Sequence, residues 1–375
     1  MASELKEDLF LSSLPYTLGI ELELQLIDPT SNNLVPAAAK LINGLAEKLF
    51  PVKFKHDITS EMIEINSGIH TDADQLFEEM SRVRDTLCDT ASSLEIQLSG
   101  GGTHPFMRWQ DLHISPESRA KYLAGNYGYL AYKNTVFGLH IHIGASNGDD
   151  AISLIRKLTP YIPHLIAMSA SSPFFEWVDT NYDSCRPHAF ACTPMTGHLP
   201  ENITNWQEYR SYIRAIECYG FILNQKDIYW DIRPKQEFGT VEIRICDAPL
   251  TIERTCQIAA FCQALSVWVA GQPDPTSLTW LAYDHNYFQA SRFGLESSYI
   301  EPGGRSVHLG DHLDSLFEIL SPIASSLNSA DHLRSLSSTL KLDGNDSAWL
   351  RKQYKQTGSF SYVVAQAAQA FRGKS

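Results

Sequence analysis

Hydrophobic and polar residues alternate strictly in several short segments of the chain, which predicts β-strands. The clearest alternation covers residues 17–27 (TLGIELELQLI), where isoleucine and leucine share one face and Glu21, Glu23 and Gln25 share the other. Further strands are predicted at 61–66, 94–98, 136–144, 228–233 and 239–246. Polar side chains on one face of these strands favour an antiparallel or mixed sheet that packs its other face on a helical core.

Other segments repeat apolar residues at helical spacing. Residues 72–93 carry an apolar stripe from Leu76 to Leu87, and Asp72 is the predicted N-cap. From about residue 309 onward the pattern is helical, which predicts a helical cap at the C-terminal end. Strands and helices in this order predict the α+β class.

Composition and charge narrow the function classes. The 375 residues are 43% apolar and 19% charged, with a formal net charge of −13 and a pI near 5.4, which is typical of an acidic globular protein. Such a chain repels a phosphate backbone, so we expect no nucleic-acid partner and no anionic membrane partner. A local basic pocket for one small anionic ligand stays allowed.

The sequence offers little evidence for a targeting signal, a membrane span or a domain boundary. The N-terminal MASELKEDLF lacks the apolar core of a signal peptide, and the apolar stretch at 258–270 is shorter than the about 20 residues that span a bilayer. The densest candidate boundary, 271–277 (GQPDPTS), is short. Seven scattered cysteines without a C-x-x-C pair predict reduced and mostly buried thiols. We expect a soluble, cytoplasmic protein.

Two predicted strands carry paired side chains of the metal-ligand type. Glu21 and Glu23 project from one face, and two like charges so close favour a cation such as Mg²⁺ or Mn²⁺, although a solvated outer face is the alternative. In VFGLHIHIGAS, His140 and His142 share the polar face between glycines that leave room for a ligand. Core histidines with satisfied hydrogen bonds are the alternative, and a zinc hydrolase lacks the supporting H-E-x-x-H helix.

Two further strands carry arginine on a polar face. These faces hold Thr240, Glu242, Arg244 and Cys246 in GTVEIRICDAP and Tyr229, Asp231 and Arg233 in IYWDIRP. Guanidinium binds phosphate or carboxylate bidentately, so the arginines are candidate ligands for such an anion. Each arginine could instead form an ion pair with a neighbouring carboxylate, as Glu242 and Arg244 are spaced to do.

Residues 56–66 (HDITSEMIEIN) add Glu61 and Glu64, which fall on opposite faces of a strand. The loop 100–106 (GGGTHPF) either wraps a ligand or forms a tight turn, and it is no Walker A loop. One sheet that turns all these polar faces into one cavity would combine acidic metal ligands with cationic phosphate ligands. That combination is a nucleotide–metal site without a P-loop, suited to phosphoryl transfer.

Eight segments in order resemble the bacterial carboxylate–amine ligases of the glutamate-cysteine ligase type 2 family. They are LGIELELQL, KHDITSEMIEI, GGGTHPF, VFGLHIHIG, SSPFFEWVDTNYDSCRP, WDIRP, FGTVEIRICDAPLT and FQASRFGLE, within residues 15–300. The resemblance implies one catalytic domain over residues 1–375, with the helical cap from about 309. It also implies a fold like the catalytic domain of glutamine synthetase, an antiparallel sheet curved into a funnel with helices outside.

The resemblance also implies roles for individual residues. The metal ligands would be Glu21, Glu23, Glu64, His140 and Glu242, while Glu61 stays outside the motif. His142 would lie beside the nucleotide phosphates or the substrate, and Arg233 and Arg244 would hold the phosphates and the transferring group. Arg186, Asn286 and Arg292 are weaker candidates for binding the substrate carboxylate or for loop closure.

The implied reaction uses ATP with Mg²⁺ or Mn²⁺ and forms γ-glutamylcysteine from glutamate and cysteine through an acyl phosphate. Water must be kept from that intermediate, so we expect a mobile lid around 179–200, and the resemblance suggests a homodimer. Because one fold serves many acceptors, a ligase for another carboxylate and amine is an alternative. A guanidino kinase-like phosphotransferase and a metal-binding protein without turnover are further alternatives.

Overall fold

A computed structural model of the protein describes residues 9–46, 48, 52–133, 135–191 and 195–373. The strands are β1 (Leu18–Ile27), β2 (Lys53–His56), β3 (Met62–Asn66), β4 (Gln97–Ser99), β5 (Gly138–Gly144), β6 (Phe174–Phe175), β7 (Val178–Asp179), β8 (Thr196–Gly197), β9 (Tyr229–Trp230), β10 (Ile232–Lys235), β11 (Thr240–Asp247), β12 (Ser298–Ile300) and β13 (Ser306–His308). The first seven α-helices are α1 (Ala38–Leu45), α2 (Ala73–Ser93), α3 (Ser118–Tyr127), α4 (Tyr129–Lys133), α5 (Gly148–Leu158), α6 (Ile162–Ser169) and α7 (Arg186–Phe190). The next seven are α8 (Trp206–Cys218), α9 (Ile252–Ala270), α10 (Ser277–Phe293), α11 (Leu309–Ser326), α12 (Ala330–Asp343), α13 (Asp346–Thr357) and α14 (Phe360–Phe371).

The main sheet has seven strands in the order β10-β11-β5-β1-β3-β2, with β4 paired to the far end of β1. Every pairing within it is antiparallel. Helices pack against this sheet, among them α9, which is buried along most of its length. The α+β class with an antiparallel sheet is confirmed.

The central strand β1 sets the register that assembles the polar face. Glu21 lies opposite His140 on β5 and opposite Asn66 on β3, and Glu23 lies opposite Glu64. Directly opposed residues project from the same face of a sheet. The polar side chains of β1, β3 and β5 therefore converge on one face, while Leu22 and its apolar neighbours fill the core on the other.

A β-bulge in β11 corrects one predicted face. Ile243 pairs with Ile141, but Cys246 pairs with Leu139, so one extra residue of β11 lies between these two pairs. An extra residue in a bulge reverses the faces of the residues that follow it. Cys246 therefore lies on the apolar face and is fully buried, not on the polar face with Glu242.

Two predicted strands differ from the observed ones. The strand predicted at 94–98 is only Gln97–Ser99, because Leu94 still caps α2 and Glu95 adopts a left-handed φ of 57°. The strand predicted at 228–233 is interrupted at Asp231, whose backbone N–H donates to Gly197 while its carbonyl accepts from the Arg244 N–H. Asp231 thus links the main sheet to the segment that carries β8.

The helical predictions agree with the structure. Asp72 caps α2 by accepting from the Gln75 backbone N–H at 2.9 Å, and α11 to α14 form the C-terminal helical region from residue 309. One hydrophobic cluster runs from Leu18 in β1 to Phe371 in α14. The division of the chain into one domain stays a prediction.

The six cysteines in the described ranges are all free, and five of them are buried while Cys218 is exposed. Cys192 lies outside the described residues, as do residues 1–8 of the charged N-terminal stretch. Among the described residues, no helix combines the length and the apolar character needed to cross a membrane.

Candidate active site

The polar face of the sheet forms a first group of metal-ligand atoms, called here the Glu21 group. It consists of Glu21, His140 and Glu242, whose ligand atoms all lie within 4.8 Å of one another. His140 Nδ1 lies 3.2 Å from Glu21 Oε2 and 3.9 Å from Glu242 Oε1. All three side chains are buried, and they come from three adjacent strands, β1, β5 and β11.

A second group of ligand atoms, called here the Glu23 group, lies next to the first. Glu23, Asp57 and Glu64 place a carboxylate oxygen each within 4.8 Å of one another. The two groups are adjacent because Glu21 and Glu23 share one face of β1, and His140 Nε2 lies 3.6 Å from Glu23 Oε1. Together the groups include all five residues expected as metal ligands.

Asp57 is the residue that sequence reasoning missed. It follows β2 directly and comes before a tight turn, in which its Oδ1 accepts from the Ile58 N–H at 2.5 Å. The sequence pointed to Asp57 only as an acidic residue within the segment KHDITSEMIEI, directly after the four residues that form β2 in the structure. A strand that short shows too little alternation to assign the residue after it to a face.

Positive charge surrounds the carboxylates of the Glu21 group. Arg233 Nε lies 2.7 Å from Glu242 Oε2 and Arg244 Nη1 lies 2.5 Å from Glu242 Oε1. Burial raises the pKa of Glu242, but the two guanidinium groups outweigh it and hold that pKa well below its usual range. Burial likewise opposes ionisation of Glu21, and the hydrogen bond from His140 together with the nearby His142 imidazole reverses the effect and lowers its pKa.

The imidazoles of this region are held neutral or oriented by their neighbours. Burial and the adjacent charge of Arg244 lower the pKa of His140 to about 3, so its ring is neutral and has a lone pair free for a metal. His142 Nδ1 lies 2.9 Å from the Thr240 hydroxyl, and its Nε2 lies 3.5 Å from Glu21 Oε1. That Nε2 is buried and forms no hydrogen bond to any described residue.

The Glu23 group carries an excess of negative charge. Burial raises the pKa of Glu64 to about 7, with further contributions from the charges of Glu21 and Asp57, even though Lys55 Nζ lies 3.0 Å from Glu64 Oε1. Burial raises the pKa of Glu23 and of Asp57 as well, and the charge of Asp57 adds to the effect on Glu23. Carboxylates that oppose one another's ionisation in this way are the arrangement that a divalent cation stabilises.

The donor set fits Mg²⁺ or Mn²⁺. Five carboxylates and one imidazole supply hard oxygen ligands with a single nitrogen, and the described residues of the two groups include no thiolate, the ligand that would favour a softer metal. The unpartnered Nε2 of His142 is one more polar atom at the same place. The two groups therefore suit two adjacent divalent cations.

Both groups open onto one cavity of about 660 Å³. Its wall includes Glu21, Glu23, Asp57, Glu64 and His140, together with the cationic side chains Lys55, Arg119, Arg186, Lys226, Arg233, Lys235 and Arg244. This volume is within the usual range for a small-molecule site, and the mixture of carboxylates and cations suits a metal–polyphosphate complex. Arg233 and Arg244 line the cavity while they pair with Glu242, so the ion-pair alternative is observed and binding of an anion by these arginines stays a prediction.

The three weaker candidates lie in different places. Arg186 lines the cavity and is 7% exposed. The side-chain amide of Asn286 both donates to and accepts from the backbone of Ile300 at 2.9 Å, so it fastens β12 to α10 and is not part of the cavity wall. Arg292 lies outside the wall too, donates to the Asn181 carbonyl and stacks over Tyr182.

The structure also shows where Glu61, the segment 179–200 and the loop 100–106 lie. Glu61 accepts from the His113 ring at 2.8 Å and belongs to neither acidic group. In the segment 179–200, α7 and the strand β8 contribute to the cavity wall, and residues 192–194 lie outside the described residues. The loop 100–106 packs closely on the core at Gly100, where a Cβ would lie 2.0 Å from the Pro249 carbonyl oxygen, and this packing favours the tight-turn alternative.

Two solved structures share this fold. A glutamate–cysteine ligase from Francisella tularensis, in complex with AMP, gives a TM-score of 0.72 at 13% sequence identity and covers 97% of this chain and 90% of its own. A bifunctional glutathione synthetase from Pasteurella multocida gives a TM-score of 0.69 at 13% identity and covers 96% of this chain and 52% of its own. The chain therefore shares the fold of these two proteins.

The family follows from the sequence comparisons. The profile of glutamate-cysteine ligase family 2 matches residues 17–366. A protein of Bordetella avium (strain 197N), named "Putative glutamate--cysteine ligase 2", is 50% identical over 366 residues, which cover 98% of this chain and 91% of that protein. A relative from Legionella pneumophila (strain Lens), "Putative glutamate--cysteine ligase 2-2", is 41% identical over 353 residues, 93% of this chain and 92% of that protein. The chain belongs to glutamate-cysteine ligase family 2 and is an ATP-dependent ligase.

Proposed function

We propose that this ligase forms γ-glutamylcysteine from L-glutamate, L-cysteine and ATP through an acyl phosphate. The observation that supports the proposal most directly is the pair of adjacent acidic groups on one wall of a cavity that also carries seven lysine and arginine side chains. A carboxylate-activating ligase needs that combination, because it must bind a metal-bound triphosphate and the carboxylate substrate in the same place.

In the first step an oxygen of the γ-carboxylate of glutamate attacks the γ-phosphorus of ATP. A new O–P bond forms, the bond to the bridging oxygen breaks, and ADP leaves with that electron pair. The protein contributes position and positive charge rather than covalent chemistry. Arg244 and Arg233 line the cavity and are the guanidinium groups we assign to the transferred phosphoryl group.

In the second step the amine of cysteine attacks the carbonyl carbon of the acyl phosphate. The C–N bond forms, the C–O bond to phosphate breaks, and inorganic phosphate leaves. Water would destroy this intermediate, so the segment 179–200 is proposed to close over the cavity through α7 and β8, both of which already form part of its wall.

The metal sites follow from the two acidic groups. Glu21, His140 and Glu242 would hold one Mg²⁺ or Mn²⁺, and Glu23, Asp57 and Glu64 a second. When bound there, a divalent cation would supply positive charge to the triphosphate. His142 would donate from Nε2 to the nucleotide phosphates or to the substrate, with its other nitrogen held by the Thr240 hydroxyl.

The test is ADP formation by the purified protein with MgATP, with glutamate and cysteine added separately and together, and mass spectrometry of the product. Turnover that needs both amino acids and yields γ-glutamylcysteine supports the proposal. Turnover with a single acceptor and a phosphorylated product would replace it by a phosphotransferase. Turnover only with other carboxylates or amines would keep the ligase chemistry and change the substrates.

Two variants serve as a matched pair for this assay. Glu23→Gln keeps an oxygen to accept from the Gly138 N–H, which lies 2.5 Å from Glu23 Oε2, but removes one charge from the Glu23 group. Glu61→Gln makes the same change at a buried glutamate outside both groups. We expect turnover to be lost in Glu23→Gln alone, and equal turnover in the two variants would contradict the metal assignment.

We also propose that the protein is a homodimer, as the resemblance suggests, and that it acts in the cytoplasm, as the sequence predicts. Sedimentation equilibrium of the purified protein tests the first, and a mass equal to one chain at every concentration would contradict it. Fractionation of cells that contain the protein tests the second.

A further inference from the structure

A second part of the cavity wall holds a carboxylate that the metal sites do not use. Asp231 lies between β9 and β10, is 9% exposed, and lines the cavity together with Tyr283 and Tyr287 of α10. The Tyr283 hydroxyl donates to Asp231 Oδ2. The backbone of Asp231 is fixed as well, because its N–H donates to Gly197 at 2.7 Å and its carbonyl accepts from the Arg244 N–H at 2.8 Å.

Arg186 connects this carboxylate with the metal-ligand groups. Its guanidinium packs on Gly138, where an added Cβ would lie 2.1 Å from Nη2, and its charge acts on both Asp231 and Glu23. The side chain is more than nine-tenths buried, and its Nε donates to no described residue. A buried guanidinium that lines a cavity with an unused donor points to an anionic ligand group there.

The neighbours of Asp231 place it beside the centre of the reaction. Arg186 acts on Glu23 of the Glu23 group, and Arg244 pairs with Glu242 of the Glu21 group. The Arg244 N–H donates to the Asp231 carbonyl at 2.8 Å, and Arg186 and Arg244 line the same cavity as Asp231. A group bound to Asp231 is therefore next to the place where the acyl phosphate forms, which is where an attacking amine must be.

We propose that Asp231 binds the ammonium group of the acceptor amino acid and takes the proton that this group loses before it attacks the acyl phosphate. Arg186 binds the carboxylate of the same acceptor, so the two residues recognise the two charged ends of a zwitterion. This assignment rests on the proposed ligase function and extends it to the acceptor.

The proton balance of the step is complete with Asp231 as the acceptor. The ammonium group transfers one proton to the Asp231 carboxylate, and the free amine forms the C–N bond as the C–O bond to phosphate breaks. The second proton of the nitrogen passes to the leaving phosphate, which departs as hydrogen phosphate. Burial raises the pKa of Asp231 to about 7, opposed by the Tyr283 hydrogen bond, so this carboxyl can take up and release a proton near neutral pH.

The test uses two nucleophiles with the same variant, Asp231→Asn. Cysteine arrives mainly as an ammonium ion, whereas hydroxylamine is mostly unprotonated at neutral pH and needs neither an ammonium site nor a base. With glutamate and MgATP present, we expect formation of γ-glutamylcysteine to fall about 100-fold or more, while formation of γ-glutamyl hydroxamate stays within about threefold of wild type. Normal hydroxamate formation also shows that the variant is folded and activates glutamate.

Each other outcome is decisive. Equal losses in both reactions, or no loss of dipeptide, would overturn the role of Asp231 while leaving the ligase function in place. A wild-type protein that forms neither product would instead overturn the proposed function. If Asp231→Asn does not fold, Tyr283→Phe removes only the hydroxyl that donates to Asp231, and about a tenfold loss confined to the dipeptide is expected, whereas equal losses would overturn the proposal.

Asp284→Asn is the charge-matched control. Asp284 is exposed, lines the same cavity and lies next to Tyr283 in sequence, so the variant changes the charge of the cavity by the same amount as Asp231→Asn. We expect the ratio of dipeptide to hydroxamate to stay within about threefold of wild type, because solvent screens an exposed charge. A ratio as low as that of Asp231→Asn would overturn the assignment to one residue.

Discussion

The two groups of metal-ligand atoms are neighbours on one sheet face, but their charges are balanced in opposite ways. In the Glu21 group, guanidinium and imidazole groups surround the carboxylates and lower the pKa of both Glu21 and Glu242. In the Glu23 group, three carboxylates face one another and all their pKa values are raised. Cationic side chains of the protein neutralise the Glu21 group, whereas the Glu23 group is left with an excess of negative charge.

This difference in charge indicates that the two groups bind metal and nucleotide in different ways. The Glu23 group gains most from a divalent cation, since the cation relieves repulsion that burial intensifies. Glu242 already has two counterions, so a cation in the Glu21 group competes with Arg233 and Arg244. An incoming triphosphate offers these arginines another partner, and we therefore expect nucleotide and metal to bind the Glu21 group together, whereas the Glu23 group binds metal alone.

The largest expected effect is on the stability of Glu242→Gln. The substitution leaves Arg233 and Arg244 without their buried carboxylate, and breaking a buried ion pair from one side costs about 3–5 kcal/mol. Urea unfolding without metal measures the change in the free energy of unfolding. Glu61→Gln is the control at a buried glutamate with a single histidine partner, and a loss as large there would show that the effect is not specific to the Glu21 group.

The next largest effect is on metal binding by Asp57→Asn. Removal of one of three carboxylates should weaken Mn²⁺ binding to the Glu23 group by at least about 100-fold, or about 2.7 kcal/mol. Titration followed by electron paramagnetic resonance, without nucleotide, measures the affinity. Asp85→Asn, on the exposed surface of α2, should leave that affinity as it is, and unchanged Mn²⁺ binding in Asp57→Asn would remove this residue from the site.

For Glu64→Gln, a variant of the Glu23 group, we expect a stability change of opposite sign to that of Glu242→Gln in the Glu21 group. The pKa of Glu64 is raised from 4.5 to about 7, so in the metal-free protein its ionisation makes folding progressively less favourable as the pH rises through this range, and the full cost is present above about pH 7. We expect the variant to be more stable than wild type by about 1–2 kcal/mol at pH 8 in chelator, with the gain vanishing below about pH 4.5, where folded and unfolded forms are both protonated. Destabilisation at pH 8 would show that the repulsion in the Glu23 group is absent.

The sequence was sufficient for much of this site, because strand alternation is local. Glu21, Glu23, His140 and Glu242 were assigned to polar faces from a period of two, and the antiparallel sheet brings them together. The same reasoning failed at Cys246, since a bulge is fixed by how β11 packs on β5 and leaves no mark in the alternation.

The sequence pattern could not predict the residues whose place in the site depends on tertiary packing. Asp57 belongs to the site because β2 pairs with β3 and places the following turn beside Glu64, a contact that no local pattern records. Asn286 and Arg292 lie on a helix that does border the cavity, but at other positions around its axis than Tyr283 and Tyr287. A helical segment without a strong apolar stripe does not reveal which of its faces borders a ligand.

The smallest expected effect concerns the Thr240 hydroxyl, which orients the His142 imidazole. Thr240 Oγ1 lies 2.9 Å from His142 Nδ1 and fixes which ring nitrogen faces Glu21. Thr240→Val should lower kcat about tenfold, or about 1.4 kcal/mol, with Mn²⁺ affinity of the Glu23 group unchanged, because an outer hydrogen-bond partner tunes its histidine rather than the neighbouring carboxylates. Thr240→Ser keeps the hydroxyl and should retain wild-type kcat. If both variants lose the same activity, the methyl group and not the hydroxyl matters, and if Thr240→Val also weakens Mn²⁺ binding without nucleotide, the two groups load as one unit.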